Sequence, residues 1–130
     1  VWDFNNGFDN YQWFRSETDE FHTIENSWIE RLWQDENFRE RVRERYCQLR
    51  KSTLSEEHIF DKIASYEKEL GEAVERNFKV WGYSFEENLL VGRNKDGTSR
   101  DIESYEDAMT QLKDTIQKRI AFLDKELGGN

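Results

Sequence analysis

Proline is absent from all 130 residues, so no helix here has a kink imposed by a ring in the backbone. A single cysteine, Cys47, rules out an internal disulfide and leaves the redox compartment open. No histidine or second cysteine lies near it, so nothing marks it as a metal ligand or an activated thiol. Set among Val42, Tyr46 and Leu49, it reads as a packed or half-packed small side chain. The two histidines, His22 and His58, have no sequence relation that would build a Ser-His-Asp or Cys-His constellation. The seven glycines form neither a Walker-type nor a dinucleotide-type phosphate loop. No apolar run approaches the roughly 20 residues of a membrane-spanning helix, and no signal peptide is visible. Cations are the minority charge: 19 Lys and Arg against 28 Asp and Glu leave a net charge of -9, which disfavours general nucleic-acid binding.

What is present gives two opposed signals. With 36% charged residues and a mean hydropathy of -1.04, the composition leans toward disorder. Yet 15% of the residues are aromatic, five of them tryptophan, and they fall at periodic positions. Ordered helices with aromatic inner faces and charged outer faces satisfy both facts. The length suits one domain, and a chain of this size buries about two thirds of its unfolded surface. The one basic run, Arg39, Arg41, Arg43, Arg45, Arg50 and Lys51, is interleaved with Glu40 and Glu44. It reads as a solvated helix face with internal ion pairs, the sharper alternative being a contact for an acidic partner or for another part of a larger protein.

The longest periodic stretch is Ser55 to Trp81, with Ile59, Ile63, Tyr66, Leu70, Ala73, Phe78 and Trp81 at helical spacing. A continuous helix there would run about 40 Å and serve as a spine, with Phe78 and Trp81 buried at its end. Thr53 with Glu56 offers a capping box and Ser55 a competing cap. Gly82 stands where the helix would stop, and Gly71 inside it marks close packing or a bend. Upstream, Asn26 can cap a short helix over residues 27–34 with Trp28, Ile29, Leu32 and Trp33 as its buried stripe. Asp35 can cap the next helix, from Glu36 to about Lys51, with Phe38, Val42, Tyr46 and Leu49 inward. Downstream, Ser104 caps a last helix from Tyr105 to Leu127, lined by Tyr105, Met109, Leu112, Ile116, Ile120, Leu123 and Leu127 and closed by Gly128-Gly129. That near-heptad stripe suits antiparallel packing along the spine. Between spine and last helix, Leu89-Leu90-Val91 and the Lys95-Asp96-Gly97 turn suggest a small hairpin. Val1 to Phe4 reads as a short extended segment, followed by the Asn5-Asn6-Gly7 turn. Tyr11 to Glu25 reads as an ordered loop pinned by its aromatic rings.

Three stretches could carry metal chemistry. Gly92 to Glu103 places Asn94, Asp96, Gly97 and Glu103 as in an EF-hand loop. But Gly92 offers no first carboxylate and Ser99 stands where an apolar residue packs, so a plain turn before a helix cap accounts for the same residues. Asp19-Glu20-Phe21-His22 gathers carboxylates beside an imidazole, without the helical pairing of ligands that a metal site uses. At the N-terminus, Asp3 lies between Trp2 and Phe4, close to Asn5, Asn6, Asp9 and Asn10. A carboxylate between aromatic anchors, with amide oxygens near it, could hold a hard cation such as magnesium, although Asp and Asn also crowd ordinary turns.

This last stretch, Trp2-Asp3-Phe4-Asn5-Asn6-Gly7-Phe8-Asp9-Asn10, resembles the Trp-Asp-(Phe/Tyr)-Asp-x-x-Phe-Gly-Asn stretch of CotH-type spore-coat protein kinases and their secreted bacterial relatives. The order of later pieces agrees: Trp28-Ile29-Glu30-Arg31-Leu32, Asp35-Glu36-Asn37-Phe38, Arg45-Tyr46, Leu49-Arg50, Leu54-Ser55, Arg76-Asn77-Phe78 with Trp81, and Arg119-Ile120 before Leu123-Asp124. The resemblance implies an atypical kinase-like fold, ATP with magnesium, and phosphorylation of protein side chains. Asp3 would match the metal-binding aspartate that plays the part of the Asp in a kinase Asp-Phe-Gly motif. Asn5 replaces the family's second aspartate with an uncharged oxygen, and Asp9 replaces its glycine, adding charge at a different position.

In this family the phosphate-binding lysine, catalytic aspartate and nucleotide-covering loop precede the Trp-Asp stretch. The resemblance therefore implies that residues 1–130 are one helical domain forming the C-terminal part of a larger kinase-like domain, catalytically incomplete and cofactor-free alone. The expectation is an all-α bundle of about four helices, with a short extended N-terminal segment and a possible small hairpin. Its partners would be the rest of the parent protein and a protein substrate, with no nucleic acid and no membrane span, in an extracytoplasmic or cell-surface setting. The competing reading is a non-catalytic helical module whose exposed N-terminal aromatics grip a protein or glycan.

Overall fold

A computed structural model of the chain describes residues 8, 18–21, 27–81 (the backbone alone at 81), 102 and 104–128. Five α-helices occupy them: α1 (Ser27–Trp33), α2 (Glu36–Arg50), α3 (Glu56–Leu70), α4 (Ala73–Trp81) and α5 (Tyr105–Leu127). No strand occurs among the described residues, and the fold is all-α. The expected N-terminal extended segment and the hairpin near residues 89–97 lie outside the described residues.

The helix starts follow their caps. Asp35 is extended (φ -82°, ψ 122°) and its carboxylate accepts the Phe38 amide at 3.1 Å, satisfying one of the orphan donors of α2. At the start of α3, Ser55 rather than Thr53 takes the cap: its Oγ accepts the His58 amide at 3.1 Å. Ser104 Oγ accepts the Asp107 amide at 3.0 Å and donates to the Asp107 carboxylate at 2.8 Å, a reciprocal pair that fixes the start of α5. At the other end of α5, Gly128 adopts φ +70° and its amide returns to the Asp124 carbonyl at 2.9 Å.

The expected continuous spine is instead two helices. Gly71 adopts φ +44°, the left-handed region that ends helices, while its amide still bonds the Glu67 carbonyl at 3.0 Å. The chain restarts as α4 with Arg76 bonding back to Glu72 at 3.1 Å. Apolar periodicity runs through this point because it records which side chains are apolar, not the sign of one φ angle. Phe78 is half-buried, and the side chain of Trp81 lies outside the described residues.

The chain divides into two compact units, Val1–Glu17 with Ile63–Ile116, and Thr18–Lys62 with Gln117–Asn130. In the first, Ile116 on α5 is buried and Lys113 meets Glu67 of α3 at 3.8 Å. Tyr66 and Leu70, expected inward, are 53% and 52% exposed. In the second, Tyr46 of α2 and Leu127 of α5 are buried, and Gln117 donates to Glu56 at 2.6 Å. Phe38, Val42 and Leu49 are half-buried beside Tyr46, as the α2 stripe predicts.

The α1 stripe needs correction. Ile29 and Trp33 are half-buried, but Trp28 is 81% and Leu32 45% exposed. A helix of seven residues has only two turns, and here the inward one is set by Trp33. Its ring packs 5.6 Å from Phe21 and 6.4 Å, edge-on, from Phe38. Trp28 and Leu32, one turn apart, share the other side.

Candidate functional site

Asp3, for which the family resemblance implies metal binding, lies outside the described residues together with Asn5 and Asp9. Phe8 of the same stretch is described: it sits in a turn at φ +57° and is 57% exposed. The Gly92 to Glu103 loop is likewise outside, apart from Ile102, and His22 is outside too. His58, on α3, is exposed, and Asp19 and Glu20, ahead of α1, are exposed as well. Among the described residues, no three His, Cys, Asp or Glu side chains converge to hold a metal ion.

The most developed polar centre in the second unit is built by Tyr46, Arg50 and Asp124. Tyr46 and Arg50 stand four residues apart on α2 and so share a face. Asp124 interrupts the apolar stripe of α5 between Leu123 and Leu127. Arg50 grips its carboxylate with two parallel bonds, Nε to Oδ1 at 2.7 Å and Nη2 to Oδ2 at 2.8 Å. Arg50 Nη1 donates to the Leu54 carbonyl at 2.7 Å, tying in the turn after α2. Tyr46 donates its hydroxyl to Asp124 Oδ1 at 2.7 Å. The Arg50 and Asp124 side chains are only 17% and 13% exposed.

Electrostatics fix the protonation states. The hydrogen bond from Arg50, joined by that from Tyr46, holds the Asp124 carboxyl below its ordinary value against the opposing effect of burial. Hydrogen bonding to Asp124 raises Arg50 in turn. Burial first, and then the bond to Asp124, pushes the Tyr46 phenol above the usual tyrosine range. The centre is thus a neutral phenol, a fixed guanidinium and an ionised carboxylate, with nothing poised near neutral pH to move a proton. Its chemistry is that of a clamp between α2, the following turn and α5.

The clamp corrects the reading of the basic run as one solvated face. Arg50 is internal, and Arg39 donates to the Trp33 carbonyl at 2.7 Å, while Arg41, Arg43 and Arg45 are exposed. Cys47 is half-buried, as expected, with its Sγ 3.0 Å from the Gly128 carbonyl. A second anchor is Arg119, which donates to the Thr18 carbonyl at 3.0 Å and to that of Glu20. Its guanidinium lies 5.2 Å from the Phe122 ring, which packs 5.1 Å from Phe21. Burial lowers the Arg119 pKa, with Asp19 and Glu20 opposing. Residues 18–21 are therefore pinned by a ring, as the loop reading expects, and also by an arginine that it does not anticipate.

Tyr46, Arg50 and Asp124 thus tie α2, the turn after it and α5 together within this helical unit. The pieces Arg45-Tyr46, Leu49-Arg50 and Leu123-Asp124, separate in sequence, are the ones this centre assembles. The chain matches the CotH kinase protein family over residues 1–123, and it belongs to that family. No curated protein and no solved structure matches it. No helix among the described residues is long and apolar enough to cross a membrane.

Proposed function

We propose that this chain is the helical C-terminal portion of a CotH-type kinase domain, whose complete form transfers phosphate from ATP to protein side chains. The observation that carries this reading is the family match, which runs from the Trp2-Asp3 stretch to Leu123. Asp3 supplies one charged hard oxygen and Asn5 a neutral one, a donor set suited to magnesium. Magnesium, when bound, would offset charge on the ATP phosphates. The helices contribute rigidity: the Arg50–Asp124 clamp and the Arg119 anchor hold elements distant in sequence in fixed geometry, which phosphoryl transfer by positioning requires.

A lysine for the phosphates, a catalytic base and a covering loop are also required. We propose that they come from the rest of the parent protein, and that these 130 residues transfer no phosphate by themselves. Radiolabelled ATP and a protein acceptor test this with both the isolated chain and the parent protein. Transfer by the parent protein, its loss in Asp3→Ala with the fold intact, and silence of the isolated chain are expected. Robust transfer by the isolated chain would refute the division of labour, and full activity of the Asp3→Ala parent would refute the role of Asp3. A parent protein that carries no phosphate but retains a protein or glycan would favour the interaction-module reading.

A further inference from the structure

The basic run has a part that the clamp leaves unexplained. Beside α2 lies an open groove of about 600 Å³, lined by Phe38, Val42, Leu49 and Leu127 with Arg41, Arg45 and other α2 residues at its edge. Phe38, Val42 and Leu49 are half-buried and Leu127 is buried, so the floor is apolar and partly open to water. Arg41 and Arg45 are both exposed and stand one helical turn apart, so their charges face the same strip of solvent. Arg45 has a long contact to Gln48 at 3.5 Å, and Arg41 makes no hydrogen bond or ion pair among the described residues.

We infer that this groove docks a short acidic peptide segment, with an aliphatic or aromatic side chain on the apolar floor and carboxylates against Arg41 and Arg45. Charge complementarity selects this occupant. The volume suits a few side chains, and two cations a turn apart match carboxylates flanking an apolar anchor. Glu44 also lines the groove, and the chain carries -9 overall, so a continuous polyanion such as nucleic acid or an anionic membrane would meet repulsion beyond the two arginines. The inference rests on the groove's own lining and does not depend on phosphoryl transfer.

The probe is a fluorescein-labelled peptide, Asp-Glu-Leu-Phe-Glu-Asp, with a second in which every carboxylate residue is lysine. Fluorescence anisotropy with the full chain is expected to give saturable binding of the acidic peptide, weakened by added salt, and binding of the lysine peptide at least about tenfold weaker. Arg41→Glu with Arg45→Glu should weaken the acidic peptide by at least about tenfold while circular dichroism stays unchanged. Arg43→Glu, on the same helix but outside the groove lining, should leave binding within about twofold. Equal affinity for the two peptides, no saturation, or equal losses from Arg43→Glu and the groove pair would each overturn the inference. So would binding to phosphatidylserine vesicles that the acidic peptide fails to displace.

Discussion

Asp124→Ala is the sharpest perturbation of this fold, because one carboxylate accepts both nitrogens of Arg50 and the hydroxyl of Tyr46. Truncating it leaves a guanidinium without its counter-charge and a phenol without its acceptor. Removing one partner of a fully buried pair costs about 3–5 kcal/mol. Here the side chains keep 17% and 13% exposure, and Arg50 retains its bond to the Leu54 carbonyl. Water can thus resolvate part of the cation, and the expected loss is about 2–4 kcal/mol. In a chain of this size that lowers Tm by roughly 8–15 °C, measured by far-ultraviolet circular dichroism. Replacing both charges, as Arg50→Met with Asp124→Leu, should cost less than Asp124→Ala, since no unpaired ion remains. An Asp124→Ala chain melting within about 2 °C of the parent would refute the claim that this clamp joins α2 to α5.

The same centre sets an acid limit. The Asp124 carboxyl titrates lower in the folded chain than in the unfolded chain, chiefly through its bond from Arg50. A depressed folded value gives stability that is present above the unfolded value of about 4 and lost as pH falls through the folded one. The stability difference between the parent and Asp124→Asn in urea titrations should therefore shrink steadily below about pH 4. A difference that stayed constant to the acid limit of folding would contradict the assigned ionisation.

Gly71→Ala distinguishes two helices from one: at φ +44° it should destabilise by about 1 kcal/mol, whereas a continuous helix would gain about that much from alanine. The added methyl would meet only the Lys68 carbonyl at an ordinary 3.7 Å, so a loss would report backbone conformation rather than a clash. At high pH the folded chain keeps the Tyr46 proton that the unfolded chain loses, so stability should fall as pH rises above about 10. Tyr46→Phe should remove that portion of the fall in urea titrations, and an unchanged slope would count against the buried neutral phenol.

What could be read in advance divides along physical lines. The bounds of α2 and α5 were legible because each has a side-chain cap, Asp35 and Ser104, and an apolar stripe of several turns. Gly71 was visible as a candidate bend, but its positive φ depends on how the following residues pack. On α1, both sides carry large apolar residues, so composition could not say whether Trp28 or Trp33 turns inward; the rings of Phe21 and Phe38 decide it. The clamp joins residues 74 and 78 positions apart, a distance at which one sequence holds no pairing signal. The available hints were local: a Tyr and an Arg one turn apart, and an Asp set into an apolar stripe.

The fate of the arginines bears on the functional reading more than their number does. In sequence, Arg39, Arg41, Arg45 and Arg50 belong to one basic run, which reads as a solvated helix face or as a contact for an acidic partner. In the fold, Arg50 is neutralised by Asp124, while Arg39 and Arg119 are held by backbone carbonyls. Three cations are thus committed to structure. Arg41 and Arg45 border an apolar groove, a geometry suited to a peptide side chain rather than to a triphosphate. A nucleotide approaching a chain of net charge -9 needs concentrated positive charge. Those five arginines serve anchoring or the groove, so under the proposed kinase reading the cations that meet the phosphates are expected from other residues.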